Sequence, residues 1–177
     1  LGDVGGTLPV ALNAVGADVR VILPKFATIE QKYRDAMTHM TSFTVQLGWR
    51  NQYAGIEKLV YHGVTYYFVD NEYYFGRSYP YGFYDDGERI AFFSKAVCEA
   101  IPHLDFQPNI LHCHDWHTAL SPVYLREVYR SVPACQNVKT VFTVHNLRFQ
   151  GKFAGTMLGD VLGLYDCPPA RDQLLQG

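Results

Sequence analysis

Residues 110–120 read ILHCHDWHTAL: a short apolar run, then three histidines and an aspartate, then residues that favour a helix. That helix is predicted over 118–130, and a second apolar run with a polar end, VKTVFTVHN, follows at 138–146. Parallel strands need a crossover connection, and strands that alternate with helices are typical of parallel sheets. The stretch therefore predicts an α/β domain with a Rossmann-like, doubly wound and mostly parallel sheet.

The residues before this stretch repeat the same order of elements. Apolar residues at helical spacing predict a helix over 5–15, and DVRVILP at 18–24 predicts a buried strand. Four more elements are predicted: strands at 42–49, 55–63 and 64–71, which form an inserted β-meander, and a helix at 88–101. His62 and Gly63 form a plausible turn between the last two strands. We predict that residues 1–177 are a single domain, truncated at both ends.

Polar side chains collect where the predicted strands end. His114 and Asp115 end one strand, and His145 and Asn146 end the next. A third cluster is predicted in the turn after an upstream strand, and it consists of Gly2, Asp3, Gly5 and Gly6. Because ligands of open α/β sheets bind beyond the carboxyl ends of the strands, we predict one shared small-molecule site. The alternative for the glycines is that they only permit a tight turn.

An aromatic and acidic loop, SYPYGFYDDG, precedes the helix at 88–101. Sugars stack their C–H faces on aromatic rings and hydrogen-bond to carboxylates, so Tyr84 and its neighbours suit a carbohydrate ligand. The alternative is an ordinary solvated loop in which Asp86 caps the helix.

Several classes of protein are disfavoured by the composition. A net charge of −2, from 15 basic and 17 acidic residues, argues against nucleic acid as a partner. No apolar run approaches the roughly 20 residues that span a membrane. The histidine spacing H-x-H-D-x-H is one residue short of a metallo-hydrolase pattern, so we expect no metal site, and the four cysteines are expected to be free thiols.

Four stretches together resemble one family: LGDVGGTLPVAL, YDDGERIAFFSKAV, HCHDWHTAL and VFTVHNLRFQGKF are similar to the bacterial glycogen synthases and plant starch synthases. The motif HNLRFQG resembles the bacterial enzymes more than the plant enzymes. The resemblance implies a retaining GT-B glycosyltransferase of the bacterial cytoplasm, which transfers glucose from ADP-glucose to the non-reducing end of an α-1,4-glucan. ADP-glucose would be the donor substrate, with no cofactor. The chain would be the acceptor-side, N-terminal domain, and the C-terminal nucleotide-binding domain would be missing.

The resemblance also implies roles for individual residues. His145 would hydrogen-bond the donor glucose, and Asp115 would lie on the glucan side of the cleft. Substrate-binding roles are implied for Gly2, Asp3, Tyr84, Trp116, His117, Asn146 and Gln150. Two departures are visible: the family lysine of K-x-G-G-L would precede Leu1, and Gly5 replaces a more usual branched residue. Other readings are a GT-B enzyme with another nucleotide sugar, a glucan-binding module without chemistry, and a metal hydrolase.

Overall fold

The computed structural model describes residues Gly2–Gln176, which form two compact units. The first unit holds the residues up to Phe43 together with Tyr53–Gly82. The second holds Thr44–Gln52 and the residues from Phe83 onward. The single domain that we expect from the sequence stays a prediction.

A four-stranded mixed sheet in the order β1-β4-β3-β2 belongs mostly to the first unit, and the residues of β2 and β3 that fall within Thr44–Gln52 are counted with the second. Its strands are β1 (Arg20–Pro24), β2 (Thr38–Leu47), β3 (Arg50–Tyr61) and β4 (Val64–Asp70). β1 pairs with β4 in parallel, and β3 pairs with β4 antiparallel. The predicted β-meander is therefore confirmed, and it shares a sheet with the parallel strand rather than forming a layer of its own.

The turn between β3 and β4 lies at His62-Gly63, as predicted. Both residues have a positive φ, 48° for His62 and 75° for Gly63. A two-residue turn of this kind matches the right-handed twist of the two strands that it joins. It fixes a register in which Val60 faces Thr65, and it leaves Val64, Tyr67 and Val69 buried on β4.

Three helices complete the first unit: α1 (Gly2–Ala14), α2 (Gln31–Asp35) and α3 (Glu72–Phe75). The Asn71 side chain caps α3 by accepting a hydrogen bond of 2.9 Å from the backbone N–H of Tyr74. The ring of Tyr74 is fully buried, so the cap and the packing hold the same turn in place.

The predicted glycine turn at the start of the chain is wrong, because Gly2, Gly5 and Gly6 are helical residues of α1. Asp3 lies in the first helical turn, where a carboxylate interacts favourably with the helix dipole. The Thr7 hydroxyl donates a hydrogen bond of 2.7 Å to the Asp3 carbonyl oxygen. Glycine lowers helix propensity by only about 1 kcal/mol per residue, a preference that local context overrides.

The second unit contains two parallel strands, β5 (Ile110–His114) and β6 (Lys139–Thr143). Its helices are α4 (Asp86–Ala100), α5 (Leu120–Glu127), α6 (Met157–Asp160) and α7 (Pro168–Leu174), with 3₁₀ turns at Ile101–His103 and Trp116–Thr118. α4 is buried on more than one face, because Phe92, Ala96 and Cys98 are all inaccessible to solvent. The α/β class is confirmed by these elements.

The cysteines of the second unit are free thiols, and three of them are buried: Cys98, Cys113 and Cys135. Burial raises the pKa of the Cys113 thiol to about 11, so the thiol stays protonated at neutral pH. Within Gly2–Gln176, none of the helices has the length and apolar character that crossing a membrane requires.

Candidate functional site

The register of β5 and β6 brings the predicted site residues Asp115 and His145 together. His114 lies opposite Thr143, so both strands end at the same level. The backbone N–H of Asp115 donates a hydrogen bond of 2.9 Å to the carbonyl oxygen of Thr143. Parallel strands end at a common edge, so the segments that follow them start side by side.

Asp115 links the two strand ends through its side chain. Its Oδ1 accepts a hydrogen bond of 2.7 Å from the backbone N–H of His145, and only 8% of the residue is exposed. Asp115 also has a φ of 57° with a ψ of −180°, a backbone region that is almost restricted to glycine and costs other residues on the order of 1–3 kcal/mol. Strained backbone persists where surrounding contacts fix it, and it concentrates at functional sites. Asp115 therefore anchors the loop that carries His145.

His145 exposes its imidazole and touches a second histidine. Its Nε2 lies 3.0 Å from Nδ1 of His114, and the two rings are stacked with centroids 5.3 Å apart. One nitrogen must donate a proton and the other must accept, so the hydrogen bond requires at least one neutral ring. The pair uses Nε2 of His145, so its Nδ1 takes no part in this hydrogen bond.

Two neighbouring groups extend the histidine pair along the strands. Nε2 of His112 lies 2.7 Å from the Thr143 hydroxyl, and the rings of His112 and His114 are 4.1 Å apart. Burial lowers the pKa of His114, and the nearby positive charges of protonated His112 and His145 lower it further. Burial, then the charge of His145, lowers the pKa of His112. His112 and His114 are therefore biased toward neutral imidazoles at neutral pH.

Trp116 forms a wall beside Asp115. The Thr118 hydroxyl donates a hydrogen bond of 2.9 Å to the His114 carbonyl oxygen, which holds the 3₁₀ turn of Trp116 against β5. Gly151 has a φ of 63°, and a Cβ placed on it would lie 2.5 Å from Cε3 of Trp116. A glycine is required there, because the turn after His145 packs directly on the indole.

The other aromatic neighbours of Trp116 complete this wall. Its ring lies 5.9 Å from that of Phe153 and 4.3 Å from that of His117. His117 is half-buried, and this burial lowers the pKa of its imidazole. Trp116 and His117 therefore pack against each other directly after Asp115, and their substrate-binding roles stay predictions.

Asn146 and Gln150 lie in the same loop, and their side chains bond to that loop. Oδ1 of Asn146 accepts a hydrogen bond of 2.9 Å from the backbone N–H of Arg148. Nε2 of Gln150 donates one of 3.0 Å to the carbonyl oxygen of Leu147. The two amides shape the segment around His145, and their substrate-binding roles stay predictions.

Tyr84 lies in the loop before α4 and is 96% exposed. The loop is held by Asp86, whose Oδ2 accepts a hydrogen bond of 3.1 Å from the backbone N–H of Phe83. Asp86 also pairs with Arg89 at 2.5 Å, and the Arg89 guanidinium stacks on the Phe83 ring at 5.0 Å. Tyr84 therefore projects from a fixed base, and its contact with a glucan stays a prediction.

Gly2 and Asp3 lie in the first unit, at the start of α1. Their predicted place on the same rim as His145 stays a prediction. In the described part of the chain, no three histidine, cysteine or acidic side chains are arranged to hold a metal ion.

Thr143 was not predicted at the site, and His114 was predicted in its polar cluster without a role of its own, although the structure places both against His145 or its strand. The signal lies in the alternation of side chains along strands. His112 and His114 share one face of β5, and Thr143 faces His114 across the ladder. The position of Thr143 opposite His114 depends on the register of β5 against β6, which the alternation alone does not give.

Comparisons with known proteins match nearly the whole chain to one family. Residues 1–174 match the family model described as the starch synthase catalytic domain. The chain is 55% identical over 164 residues to glycogen synthase of Desulforamulus reducens, and 54% identical over 166 residues to that of Anoxybacillus flavithermus. These matches cover 93% and 94% of the chain but 34% of each relative, so the chain spans about a third of their length.

A solved structure gives the same result for the fold. The catalytic domain of starch synthase IV from Arabidopsis thaliana, bound to ADP and acarbose, matches with a TM-score of 0.80 and 28% identity. The match covers 90% of this chain and 33% of the plant chain.

Proposed function

We propose, since the chain belongs to the family of starch synthase catalytic domains, that it is part of a glycogen or starch synthase. The reaction is the retaining transfer of glucose from ADP-glucose to the non-reducing end of an α-1,4-glucan. The single observation that carries a role for this chain is the hydrogen bond from the His145 N–H to Asp115 at the joint ends of β5 and β6. A donor bound as ADP-glucose is supported by the ADP in the plant structure.

The chemistry of the site suits this transfer. A sugar that departs from a diphosphate develops positive charge, and catalysis then depends on preorganised polar groups more than on a strong base. The His145 ring, fixed by His114 on one side and by Asp115 through the backbone, is such a group. Its role is to orient the donor glucose and stabilise the transition state, while the leaving phosphate takes the acceptor's proton.

The acceptor glucan is proposed to lie along the wall of Trp116, with Asp115, His117 and Tyr84 on the same side. Aromatic faces bind the apolar C–H surfaces of pyranose rings, and the carboxylate and imidazole accept or donate hydrogen bonds to hydroxyls. Gln150 and Asn146 are proposed to line the donor side, and Gly2 and Asp3 are proposed to contact the substrate near its phosphates.

The remainder of the enzyme is proposed to supply the positive charge that a nucleotide diphosphate needs. The chain itself has a net charge of −2 and spans about a third of its relatives. The proposal therefore includes a C-terminal nucleotide-binding domain in the same polypeptide, a reaction without a resident metal or cofactor, and action in the bacterial cytoplasm.

The test uses the full-length protein that contains this chain. Release of ADP from ADP-glucose is measured with and without maltooligosaccharide, and the anomeric configuration of the new bond is read by NMR. Glucan-dependent release with an α-linked product is expected. Activity with a different nucleotide sugar alone would favour another GT-B enzyme, and glucan binding without transfer would favour a binding module.

A further inference from the structure

His114 contacts two other imidazole rings in the second unit. Its ring centroid lies 4.1 Å from that of His112 and 5.3 Å from that of His145. His112 is itself held, because its Nε2 lies 2.7 Å from the Thr143 hydroxyl. The three rings therefore connect the paired strands β5 and β6 to the loop that follows β6.

The backbone of His114 is fixed on both of its sides. His114 lies opposite Thr143 in the parallel ladder, and the next N–H, that of Asp115, donates a hydrogen bond of 2.9 Å to the Thr143 carbonyl oxygen. The carbonyl oxygen of His114 accepts a hydrogen bond of 2.9 Å from the Thr118 hydroxyl. Side chains on strands are placed more precisely than side chains on loops, so His114 is a rigid support for a ring that contacts it.

His145, by contrast, follows β6 in a loop and is exposed to solvent. Asp115 holds its backbone through the bond of 2.7 Å to the His145 N–H. That bond does not restrict rotation about the side-chain bonds, and an exposed side chain has several staggered rotamers. The hydrogen bond of 3.0 Å to Nδ1 of His114 restricts the ring itself. The backbone and the imidazole of His145 thus have one anchor each.

The contact between the two rings also restricts where the proton of His145 lies. Burial, then the positive charges of His112 and His145, lowers the pKa of His114, so this ring is neutral at neutral pH. A neutral imidazole carries one N–H, and in a hydrogen bond one nitrogen donates while the other accepts. If Nε2 of a neutral His145 accepts, its Nδ1 carries the proton, and if Nε2 donates, its Nδ1 is an acceptor. One role for Nε2 therefore selects one role for Nδ1.

We propose that His114 is a positioning residue, which holds the His145 imidazole in one rotamer and one tautomer for contact with a sugar hydroxyl group. The role of His145 toward the donor glucose rests on the proposed function. A hydroxyl group both donates and accepts, so it can match either tautomer, provided that the ring presents the same nitrogen in the same direction. A ring ordered in advance does not have to reorganise in the transition state, so the contact raises turnover more than substrate binding.

The first test measures glucose transfer from ADP-glucose to a maltooligosaccharide by the full-length protein and by its variant His114→Phe. Phenylalanine keeps an aromatic ring but has no nitrogen to bond to His145. We expect kcat to fall by about ten- to hundredfold, the effect of misplacing a reacting contact by about 1 Å, while KM for ADP-glucose changes by less than about threefold. His114→Asn should retain kcat to within about fivefold, because its amide can donate or accept in place of the ring nitrogen.

A double-mutant cycle separates positioning from a general loss of structure. Because His114 acts through His145, His114→Phe should cause no further loss of kcat when it is added to His145→Ala. The matched control is His103→Phe, the same substitution at an exposed histidine of the second unit, in the 3₁₀ turn after α4. Its kcat should equal that of the unsubstituted protein.

Nitrogen NMR of labelled histidines reads the ring contact without any activity. The chemical shifts of the two imidazole nitrogens distinguish the two neutral tautomers. In the full-length protein at about pH 8, where ordinary imidazoles are neutral, we expect one tautomer for His145. In His114→Phe we expect the averaged shifts of a ring that exchanges between both tautomers.

The outcomes separate this inference from the proposed function. An unchanged kcat in His114→Phe, additive losses in the cycle, or an equal loss in His103→Phe overturns the inference and leaves the function standing. Averaged shifts for His145 in the unsubstituted protein also overturn it, and this measurement applies even if His114→Phe does not fold. Absence of glucose transfer by the unsubstituted protein overturns the function, and the shifts then decide the positioning role of His114 alone.

Discussion

Replacing Asp115 tests whether this carboxylate holds the loop of His145 in place. Asp115→Ala removes the acceptor of the 2.7 Å hydrogen bond from the His145 N–H. A hydrogen bond to a charged group contributes about 1.5–3 kcal/mol. The loop should therefore lose about 1.5–3 kcal/mol of local stability, a change of roughly ten- to hundredfold in its opening equilibrium.

Hydrogen exchange measures that opening without requiring global unfolding. In the full-length protein, amide exchange in the peptide covering 144–150 should accelerate by about ten- to hundredfold in Asp115→Ala. Asp115→Asn keeps an acceptor oxygen for the His145 N–H, so its exchange should rise less than about tenfold. Asp166→Ala, an exposed position in the same unit, is the control. Unchanged exchange in Asp115→Ala would refute the anchoring role.

Three further changes have defined outcomes. Gly151→Ala should lower the free energy of unfolding in urea by about 2 kcal/mol or more, because it adds a clash with Trp116 to backbone strain. Gly63→Ala is the control, since Gly63 has a similar φ but a Cβ there would meet no atom within 4 Å. Equal destabilisation by the two variants would contradict the clash. The lowered pKa values of His112, His114 and His117 mean that the unfolded state binds more protons, so stability should be full above their ordinary pKa of about 6.5 and fall as the pH drops below it. His114→Asn should flatten that slope, and an unchanged slope would contradict the pKa assignment. Chelation with EDTA should leave transfer from ADP-glucose unchanged, and a loss that zinc or magnesium restores would overturn the metal-free proposal.

The backbone at the site was predictable from the sequence because two simple patterns coincide there. Apolar runs end in polar residues at 110–115 and 138–146, and parallel pairing forces those ends to one edge. The His62-Gly63 turn was predictable for a similar reason, since both residues tolerate the left-handed conformation between two β-branched runs.

The errors arise where local preference conflicts with context. Three glycines indicated a turn, yet the helix of α1 extends back to Gly2. The helix predicted over 118–130 begins only at Leu120, after the 3₁₀ turn at Trp116–Thr118. Trp49 was assigned to a strand, whereas close packing of Gly48 on Asp160 makes it a turn residue.

The side-chain network was not predictable without the strand register. His114 contacts His145 only because Ile110 pairs with Lys139; a shift of one residue would send these side chains to opposite faces. The anchoring role of Asp115 likewise depends on its positive φ, which no sequence pattern signals for aspartate in this position.

The most direct test of the whole account is glucose transfer by the full-length protein with His145→Ala, measured with ADP-glucose and a maltooligosaccharide at saturating concentrations. Loss of an oriented polar group at a transition state lowers turnover by about a hundredfold or more, and we predict that loss with an unchanged thermal midpoint. Turnover equal to that of the unsubstituted enzyme would contradict the claim that Asp115 positions a catalytic histidine.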